Sequence, residues 1–418
     1  MISAVDLATR ASVGDANLRE WQMSMVRRLA RRLRHTSRFY SSRLSGMDES
    51  SLSSFSDMEL LPFTYPEDTV SNPEDFLCVP SRAVSRVTTV LTSGTTGKPK
   101  RMFFTDGDLA RTIDFFRTGM SDVSGNGKSA AVMLSSGAPN SVAELLKRAL
   151  AENGVEASVI GSGLSFREIS EAVSGADCLI GIPASLIKLC RTYPDMRPSS
   201  VLLTADYVPE SIVRGVRRLW GCRTFTHYGM TETGFGCAVQ CRAGETHHIR
   251  HSDMLVEIVD PVTGRQMPPG TEGEITVTTF AHEAMPLLRY RTGDISAEIC
   301  GTCRCGGSYP RLGKIGGRND NTICEGIFGD IRLDQLDEAV YSFDGVLGYK
   351  VRTGAEAAAH LHVDAAESLD RPSFETAVES IIPAKTKDGK RVKFTYGYDV
   401  PFSNAAKRRV ESCLFGVN

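Results

Sequence analysis

From about residue 80 to residue 230, short apolar runs of β character alternate with stretches of helical periodicity. Residues 130–134 read as a strand and 142–153 as a helix, and 157–160 as the next strand. Ser165-Phe166-Arg167-Glu168 has the spacing of a capping box, so a helix should start there. Residues 178–182 follow as a strand, with Pro183 suited to the first turn of another helix. Strand 201–204, helix 209–220 and strand 223–226 complete the series. Alternation of this kind predicts a mostly parallel sheet with helices on both faces.

The pattern then changes. Residues 255–259 and 273–279, on either side of the turn-forming Asp260-Pro261-Val262-Thr263-Gly264, read as antiparallel strands of a small β subdomain spanning about 240–317. After Gly316-Gly317-Arg318 the composition turns to mixed α+β. The expected architecture is α/β. A large N-terminal domain, residues 1–317, carries the helix-covered, mostly parallel sheets and the β subdomain. A small mobile α+β domain, residues 318–418, follows. At the other end, residues 17–44 are amphipathic, with Arg27, Arg28, Arg31, Arg32 and Arg34 around Trp21, Met25, Leu29 and Leu33. A solvated arginine face on a helix packed against the main body is the expectation. A Ser-rich connector follows at 41–56.

Composition narrows the function classes. With 418 residues, 41% hydrophobic and 23% charged, the chain is of ordinary soluble, globular type with room for two or three domains. A net charge of −2 leaves no electrostatic footprint for nucleic acid. No apolar run approaches the roughly 18–20 residues of a membrane span, and no signal-peptide pattern opens the chain. The eleven cysteines are an odd number, which favours a reducing compartment over a disulfide framework. A cytoplasmic protein is expected.

The most informative stretch is Val87-Thr88-Thr89-Val90-Leu91-Thr92-Ser93-Gly94-Thr95-Thr96-Gly97-Lys98-Pro99-Lys100. A β-branched run ends in small hydroxylated residues and glycines, which offer backbone N–H groups and hydroxyl donors to a polyphosphate. It is not a Walker A loop, because Thr92 and Pro99 stand where that motif has glycine and Ser/Thr. A flexible linker has the same composition. The preceding strand and the helical pattern of Leu109, Ile113 and Phe116 favour a strand–loop–helix phosphate cradle.

Three further motifs join it. Thr226-His227-Tyr228-Gly229-Met230-Thr231-Glu232 lies at the end of an expected strand, where ligands of α/β sheets bind. A tyrosine there can stack on a base, a threonine can bond a phosphoryl oxygen, and a carboxylate can hold Mg²⁺. In Tyr290-Arg291-Thr292-Gly293-Asp294 a carboxylate beside glycine could accept both hydroxyls of a ribose. Gly317-Arg318-Asn319-Asp320 marks the expected domain boundary.

In order and spacing these elements resemble the adenylate-forming superfamily of acyl-CoA synthetases, adenylation domains and luciferases, and more closely its phenylacetate–CoA ligase branch. Leu61-Pro62-Phe63-Thr64, Val256-Glu257-Ile258-Val259-Asp260-Pro261 and Ala284-Met285-Pro286-Leu287-Leu288-Arg289-Tyr290 add to the likeness, which is specific over residues 60–320. The resemblance implies an ATP-dependent acid–thiol ligase. A small carboxylic acid, aryl or other, is joined to AMP with release of pyrophosphate and then passed to coenzyme A. A carrier-protein thiol is the alternative acceptor, and a non-catalytic nucleotide-binding relative is a second alternative. A homodimer is compatible with this reading.

The likeness also implies residue roles. Thr92, Ser93, Gly94, Thr95, Thr96, Gly97 and Lys98 would cradle the β and γ phosphates. Tyr228 would lie against adenine, Ala205 and Asp206 belong to the adenine-side segment, and Gly229 joins them in binding the nucleotide. Thr231 would touch the α-phosphate, Glu232 would bind Mg²⁺, Asp294 would hold the ribose, and Arg318 would approach ribose or phosphate. Asp320 occupies the hinge position. The chain departs from the family at Thr204-Ala205-Asp206-Tyr207, which has a shorter acid and a tyrosine in place of proline. It departs again near its end, where Pro401-Phe402-Ser403-Asn404-Ala405-Ala406-Lys407 lacks the usual glycine before the catalytic lysine. Lys407 is assigned that role, with Lys390 as the alternative. The acyl-pocket segment Ser135-Ser136-Gly137-Ala138-Pro139-Asn140 does not name the acid.

A second constellation is Cys241, His248 and the tight pair Cys303-Arg304-Cys305-Gly306. Three thiolates and one imidazole suit tetrahedral structural zinc, and reducing conditions favour metal over disulfides. Cys237, Cys300 and His251 are near enough in sequence to replace one ligand, and an unligated set of thiols stays open. The resemblance selects His248 over His247, because His248 keeps the family's distance to Glu257.

Overall fold

The computed structural model describes residues 2–14, 16–90, 100–161, 163–317, 322–326, 329–353, 359–382, 392–397 and 411–412. The mixed α/β class expected from the sequence is the class observed. The chain forms two compact units, each drawn from separated stretches of sequence.

One unit comprises Asn126–Ala143, Val155–Thr226 and Ile315–Asn418. Its parallel sheet runs in the order Glu156–Val159, Ser129–Met133, Cys178–Gly181, Ser200–Leu203 and Arg223–Tyr228. Cys178–Gly181 and Ser200–Leu203 are buried at every position, the signature of parallel strands covered on both faces. The crossover helices begin where local chemistry starts them. Ser165 accepts from the Glu168 N–H while the Glu168 side chain returns the bond, opening Phe166–Val173. Pro183 stands in the first turn of Pro183–Thr192. Glu210–Trp220 stops at Gly221, whose φ of +67° suits a residue without Cβ.

Beyond residue 315 the same unit adds the hairpin Thr322–Gly326 with Gly329–Arg332, then the helices Leu333–Val340 and Arg371–Ile381. A small sheet accompanies them, in which Val346–Thr353 pairs antiparallel with Ala359–Ala365. Ile187, Val216 and Trp220 share one apolar core with Leu336, Tyr341, Val346, Leu361 and Phe374. Truncating a fully buried Trp220 or Phe374 to alanine costs about 3–5 kcal/mol. Polar ties reinforce the packing. The Lys188 ammonium donates to Asp364 at 2.8 Å and the Tyr207 hydroxyl to Glu338 at 3.0 Å.

The other unit comprises Met1–Gly125, Glu144–Gly154 and His227–Lys314. Its antiparallel sheet runs in the order Leu255–Val259, Glu272–Thr278, Tyr290–Ile299, Arg311–Leu312, His247–Ile249 and Ala238–Gln240, which pairs with His227 and Tyr228. The basic stretch near the N-terminus is two helices, Leu18–Thr36 and Arg38–Arg43. Ser37 ends the first and caps the second by accepting from the Tyr40 N–H. Its arginine face is only partly solvated. Arg27 donates to the Leu52 carbonyl at 2.6 Å, and Arg34 donates to the Met47 carbonyl and pairs with Glu49.

One expectation is corrected here. The Ser/Thr/Gly loop does not lead straight into a helix. Arg86–Val90 pairs antiparallel with Lys100–Phe104, so the loop joins two strands, and the helix Asp106–Ser124 starts only afterwards. Met102, Phe103 and Phe104 are buried in this second strand, and Thr105 then starts the helix through a capping box with Asp108.

Candidate active site and metal centre

The strand Arg223–Tyr228 extends two residues past its expected end, to Tyr228. Gly229 follows in a place closed to any side chain. A Cβ there would meet the Phe235 carbonyl oxygen at 2.5 Å and the His227 ring at 2.7 Å. The chain then makes the single turn Thr231–Thr233, held by the Met230 N–H donating to Thr233 Oγ1 at 3.1 Å. This tight return buries Glu232, which is 8% exposed.

Among the described residues, Glu232 meets Lys100 and Tyr290. Its Oε1 accepts from Lys100 Nζ at 2.5 Å and from the Tyr290 hydroxyl at 3.0 Å, while Lys100 Nζ also lies 2.7 Å from that hydroxyl oxygen. A cation therefore already stands at the carboxylate to which the sequence assigns Mg²⁺. Sequence alone assigns the phosphate-side charge to Lys98, whereas Lys100 is the lysine at Glu232 among the described residues. Its signal was its place, since it closes the Ser/Thr/Gly run and opens an apolar strand.

The Tyr228 hydroxyl donates to Asp294 Oδ2 at 2.8 Å. Burial, reinforced by the Asp294 charge, pushes the Tyr228 phenol well above its ordinary range, so it remains a donor. Asp294 sits on an irregularity in the ladder. Thr276 faces Arg291 and Glu274 faces Ile295, which leaves Ile275 alone opposite Thr292, Gly293 and Asp294. Gly293 takes φ +77° within it. Thr292 Oγ1 donates to the Ile275 carbonyl at 2.7 Å and accepts from the Asp294 N–H, while Glu274 accepts from the Gly293 N–H at 2.9 Å. Bulges re-aim side chains beside functional sites, and this one aims Asp294 at Tyr228.

Arg289 ties together the three segments that added to the family likeness. It is 1% exposed, pairs with Glu257 at 2.9 and 3.1 Å, donates to the Leu61 carbonyl at 3.0 Å, and lies over the Phe63 ring. Thr64 continues the join by donating to the Leu288 carbonyl.

In the parallel-sheet unit, Ala205 adopts φ +69°, which L-residues with a Cβ adopt at a cost of roughly 1–2 kcal/mol. Asp206 Oδ1 accepts from the Tyr207 N–H next to it. Strain of this kind clusters at ligand sites. Thr92, Ser93, Gly94, Thr95, Thr96, Gly97, Lys98, Arg318, Asp320, Lys390 and Lys407 lie outside the described residues.

The structure brings Cys241, His248, Cys303 and Cys305 together, with their ligating atoms within 4.8 Å of one another and all four residues buried. Cys241 Sγ is 3.9 Å from Cys303 Sγ, and Cys305 Sγ is 3.6 Å from His248 Nε2. A tetrahedron with the bond lengths usual for zinc has S–S edges of about 3.8 Å and S–N edges of about 3.6 Å, so the residues fit the ion. Burial drives the Cys241 thiol up to about 12. Burial also opposes the Cys303 thiolate, but hydrogen bonds from the Cys305 backbone, His248, Cys305 and Cys241 prevail and bring it down to about 7. The alternative ligands are engaged or outside the group. His251 uses both ring nitrogens, on Gln22 and on the Pro310 carbonyl, and Cys300 is exposed beside Glu298.

A family model described as AMP-binding enzyme matches residues 53–281. The phenylacetate-coenzyme A ligase of Thermus thermophilus is 29% identical over 326 residues, spanning 73% of this chain and 71% of that protein. The enzyme of the same name from Pseudomonas putida is 27% identical over 292 residues, spanning 66% and 65%. In fold, the chain is similar to 2-hydroxyisobutyryl-CoA ligase in its postadenylation state with R3-HIB-AMP. The TM-score is 0.82 at 17% identity, covering 97% of this chain and 92% of that one. The family model spans more than half of the sequence and includes both the Ser/Thr/Gly loop and the Tyr228–Glu232 turn, and on that match the chain belongs to the AMP-binding enzyme family.

Proposed function

We propose that this chain is an ATP-dependent acid–thiol ligase that forms an acyl-adenylate and then an acyl-CoA thioester. The observation that carries the reading is the pair of buried clusters at the end of the strand Arg223–Tyr228. Lys100, Glu232 and Tyr290 form one, and Tyr228 and Asp294 the other. Together they supply a cation, a metal-competent carboxylate and a ribose-competent carboxylate.

In the first step a carboxylate oxygen of the acid attacks the α-phosphorus of ATP, and pyrophosphate leaves. Such transfers depend mainly on positioning and charge neutralisation. The loop residues Thr92–Lys98 are assigned to the β and γ phosphates, Thr231 to the α-phosphate, and Asp294 to the ribose hydroxyls. Ala205, Asp206 and Tyr228 are assigned to the adenine side, and Gly229 to the nucleotide. Lys100 is added as a phosphate-side cation, released from Glu232 when nucleotide arrives. Mg²⁺ bound at Glu232 would neutralise phosphate charge. Lys407 is assigned the charge developing on the reacting oxygens, and Arg318 the ribose or phosphate. In the second step the thiol sulfur attacks the acyl carbonyl, loses its proton, and AMP leaves. A domain boundary at residues 317/318 with a hinge at Asp320 would let the last segment serve both steps. Zinc at Cys241, His248, Cys303 and Cys305 is assigned a structural role, consistent with a closed four-ligand set.

Relatives bearing the phenylacetate name and a fold neighbour acting on 2-hydroxyisobutyrate favour a small carboxylic acid, aryl or short hydroxylated, as substrate. The setting is the cytoplasm, where the free thiols stay reduced. The reading needs neither a carrier protein nor a second copy of the chain. Carboxylate-dependent exchange of labelled pyrophosphate into ATP, screened over small acids, tests it. Stimulation by one chemical class of acid is expected. Tight ATP binding without exchange for any acid would favour a nucleotide-binding protein instead. Exchange without thioester formation on CoA would point to a carrier-protein thiol.

A further inference from the structure

The N-terminal helix Ala4–Val13 sends one side chain to the cysteine cluster. Asp6 Oδ1 lies 2.8 Å from His248 Nδ1, although the two residues are 242 positions apart. His248 is fully buried and Asp6 is 3% exposed. The opposite ring nitrogen, Nε2, faces Cys305 Sγ at 3.6 Å.

The surrounding chain is shaped to admit this carboxylate. A Cβ on Gly307 would meet Asp6 Oδ2 at 1.9 Å, so the bare glycine leaves the carboxylate the room it occupies. The same glycine builds the ligand loop, because its carbonyl accepts from the Cys303 N–H at 2.7 Å and its N–H donates to Cys305 Sγ. Asp6 Oδ2 is buried and has no hydrogen-bond partner among the described residues. A carboxylate placed so deep is costly unless a compensating group meets it. That group is the imidazole. A proton on Nδ1, donated to Asp6, leaves the Nε2 lone pair directed at the thiols, which is the tautomer a metal ligand needs.

We propose that Asp6 is the positioning residue for the metal ligand His248, and that this hydrogen bond couples metal binding to docking of the N-terminal helix. The inference rests on reading Cys241, His248, Cys303 and Cys305 as a zinc site. Asp6 is not itself a ligand, since it addresses the nitrogen opposite the thiols. Coupling runs both ways: whatever the helix contributes to zinc affinity, zinc contributes to the order of the helix.

The test compares zinc affinity, by competition with a chromophoric chelator, in the wild-type chain, Asp6→Asn and Asp122→Asn. Asp122 accepts from the Ala4 N–H at 3.3 Å and so tethers the same helix without bonding His248. Asp6→Asn is expected to weaken zinc by about 10–100-fold while Asp122→Asn stays within about threefold. The cobalt(II)-loaded Asp6→Asn protein should keep tetrahedral d–d bands, shifted from those of wild type. Stripping zinc from wild type should speed amide exchange across Ala4–Val13, and do so much less in Asp6→Asn. Unchanged affinity in Asp6→Asn overturns the inference, as does equal weakening in both variants. A wild-type protein that holds less than about a tenth of an equivalent of zinc overturns the metal reading and this inference together. A zinc-loaded wild type indifferent to Asp6 overturns only the inference.

Discussion

Lys100 carries its charge into a site where its side chain is only 8% exposed, and it is stable there because Glu232 and Tyr290 receive it. Removing one member of a buried pair costs about 3–5 kcal/mol, because the other charge is left without a partner. Lys100→Met should therefore lower unfolding stability by about that amount, and Lys100→Met/Glu232→Gln should recover part of it. Urea unfolding of the three proteins decides, and a double variant no more stable than the single would remove the pair as the cause. Asp294 is the complementary case. Asp294→Asn keeps the shape of the bulge but weakens charged hydrogen bonds worth about 1.5–3 kcal/mol. The KM for ATP in pyrophosphate exchange should rise by about 10–100-fold, with unfolding stability much less affected. An unchanged KM would place the ribose elsewhere. The roles of Glu232 and Asp294 were legible in their local motifs, but the partnerships were not. Lys100 and Glu232 stand 132 residues apart, and Asp6 and His248 stand 242 apart.

The parallel strands were legible because each is a short apolar run framed by helix-start chemistry, as at Ser165 and Pro183. Ala238–Gln240, His247–Ile249 and Arg311–Leu312 were not, since two or three residues carry no period. Lys100–Phe104 escaped for a different reason, because it opens on two charged residues, Lys100 and Arg101, before its apolar part. The Tyr228–Glu232 motif was legible as sequence, while the reason for its glycine became visible only in the return of Phe235 onto it. Gly229→Ala tests that element. The added methyl meets the Phe235 carbonyl and the His227 ring, so the turn must move and carry Glu232 with it. Overpacking of this sort costs about 1–3 kcal/mol, and displacement of positioned groups by about 1 Å can cost about 100-fold in rate. A folded Gly229→Ala protein with near-normal exchange activity would contradict the geometry.

Across the whole molecule, buried imidazoles set an acid limit. Burial drives His227 down to about 3 and His251 to about 4, with backbone acceptance by the Pro310 carbonyl only partly offsetting the latter. In the unfolded chain both bind protons near pH 6.5. The folded state therefore holds fewer protons in between, and stability falls as pH drops from about 6.5 toward 4. The slope is about 1.4 kcal/mol per pH unit for each group. Urea midpoints at pH 7.5, about 6 and about 5 check this, with a flat profile as the contrary result. At the same scale, two compact units and an apolar core shared by the parallel sheet and the chain beyond residue 315 agree with the α/β class expected from alternation alone.

The central claim concerns the bond that ATP loses. The direct measurement is the nucleotide product of a reaction holding the chain, ATP, Mg²⁺, CoA and an acid found active in exchange, followed by chromatography alongside the thioester. The account predicts AMP and acyl-CoA formed in equal amounts, both abolished in Glu232→Ala. ADP accumulating with the thioester, or a thioester formed without AMP, would contradict it.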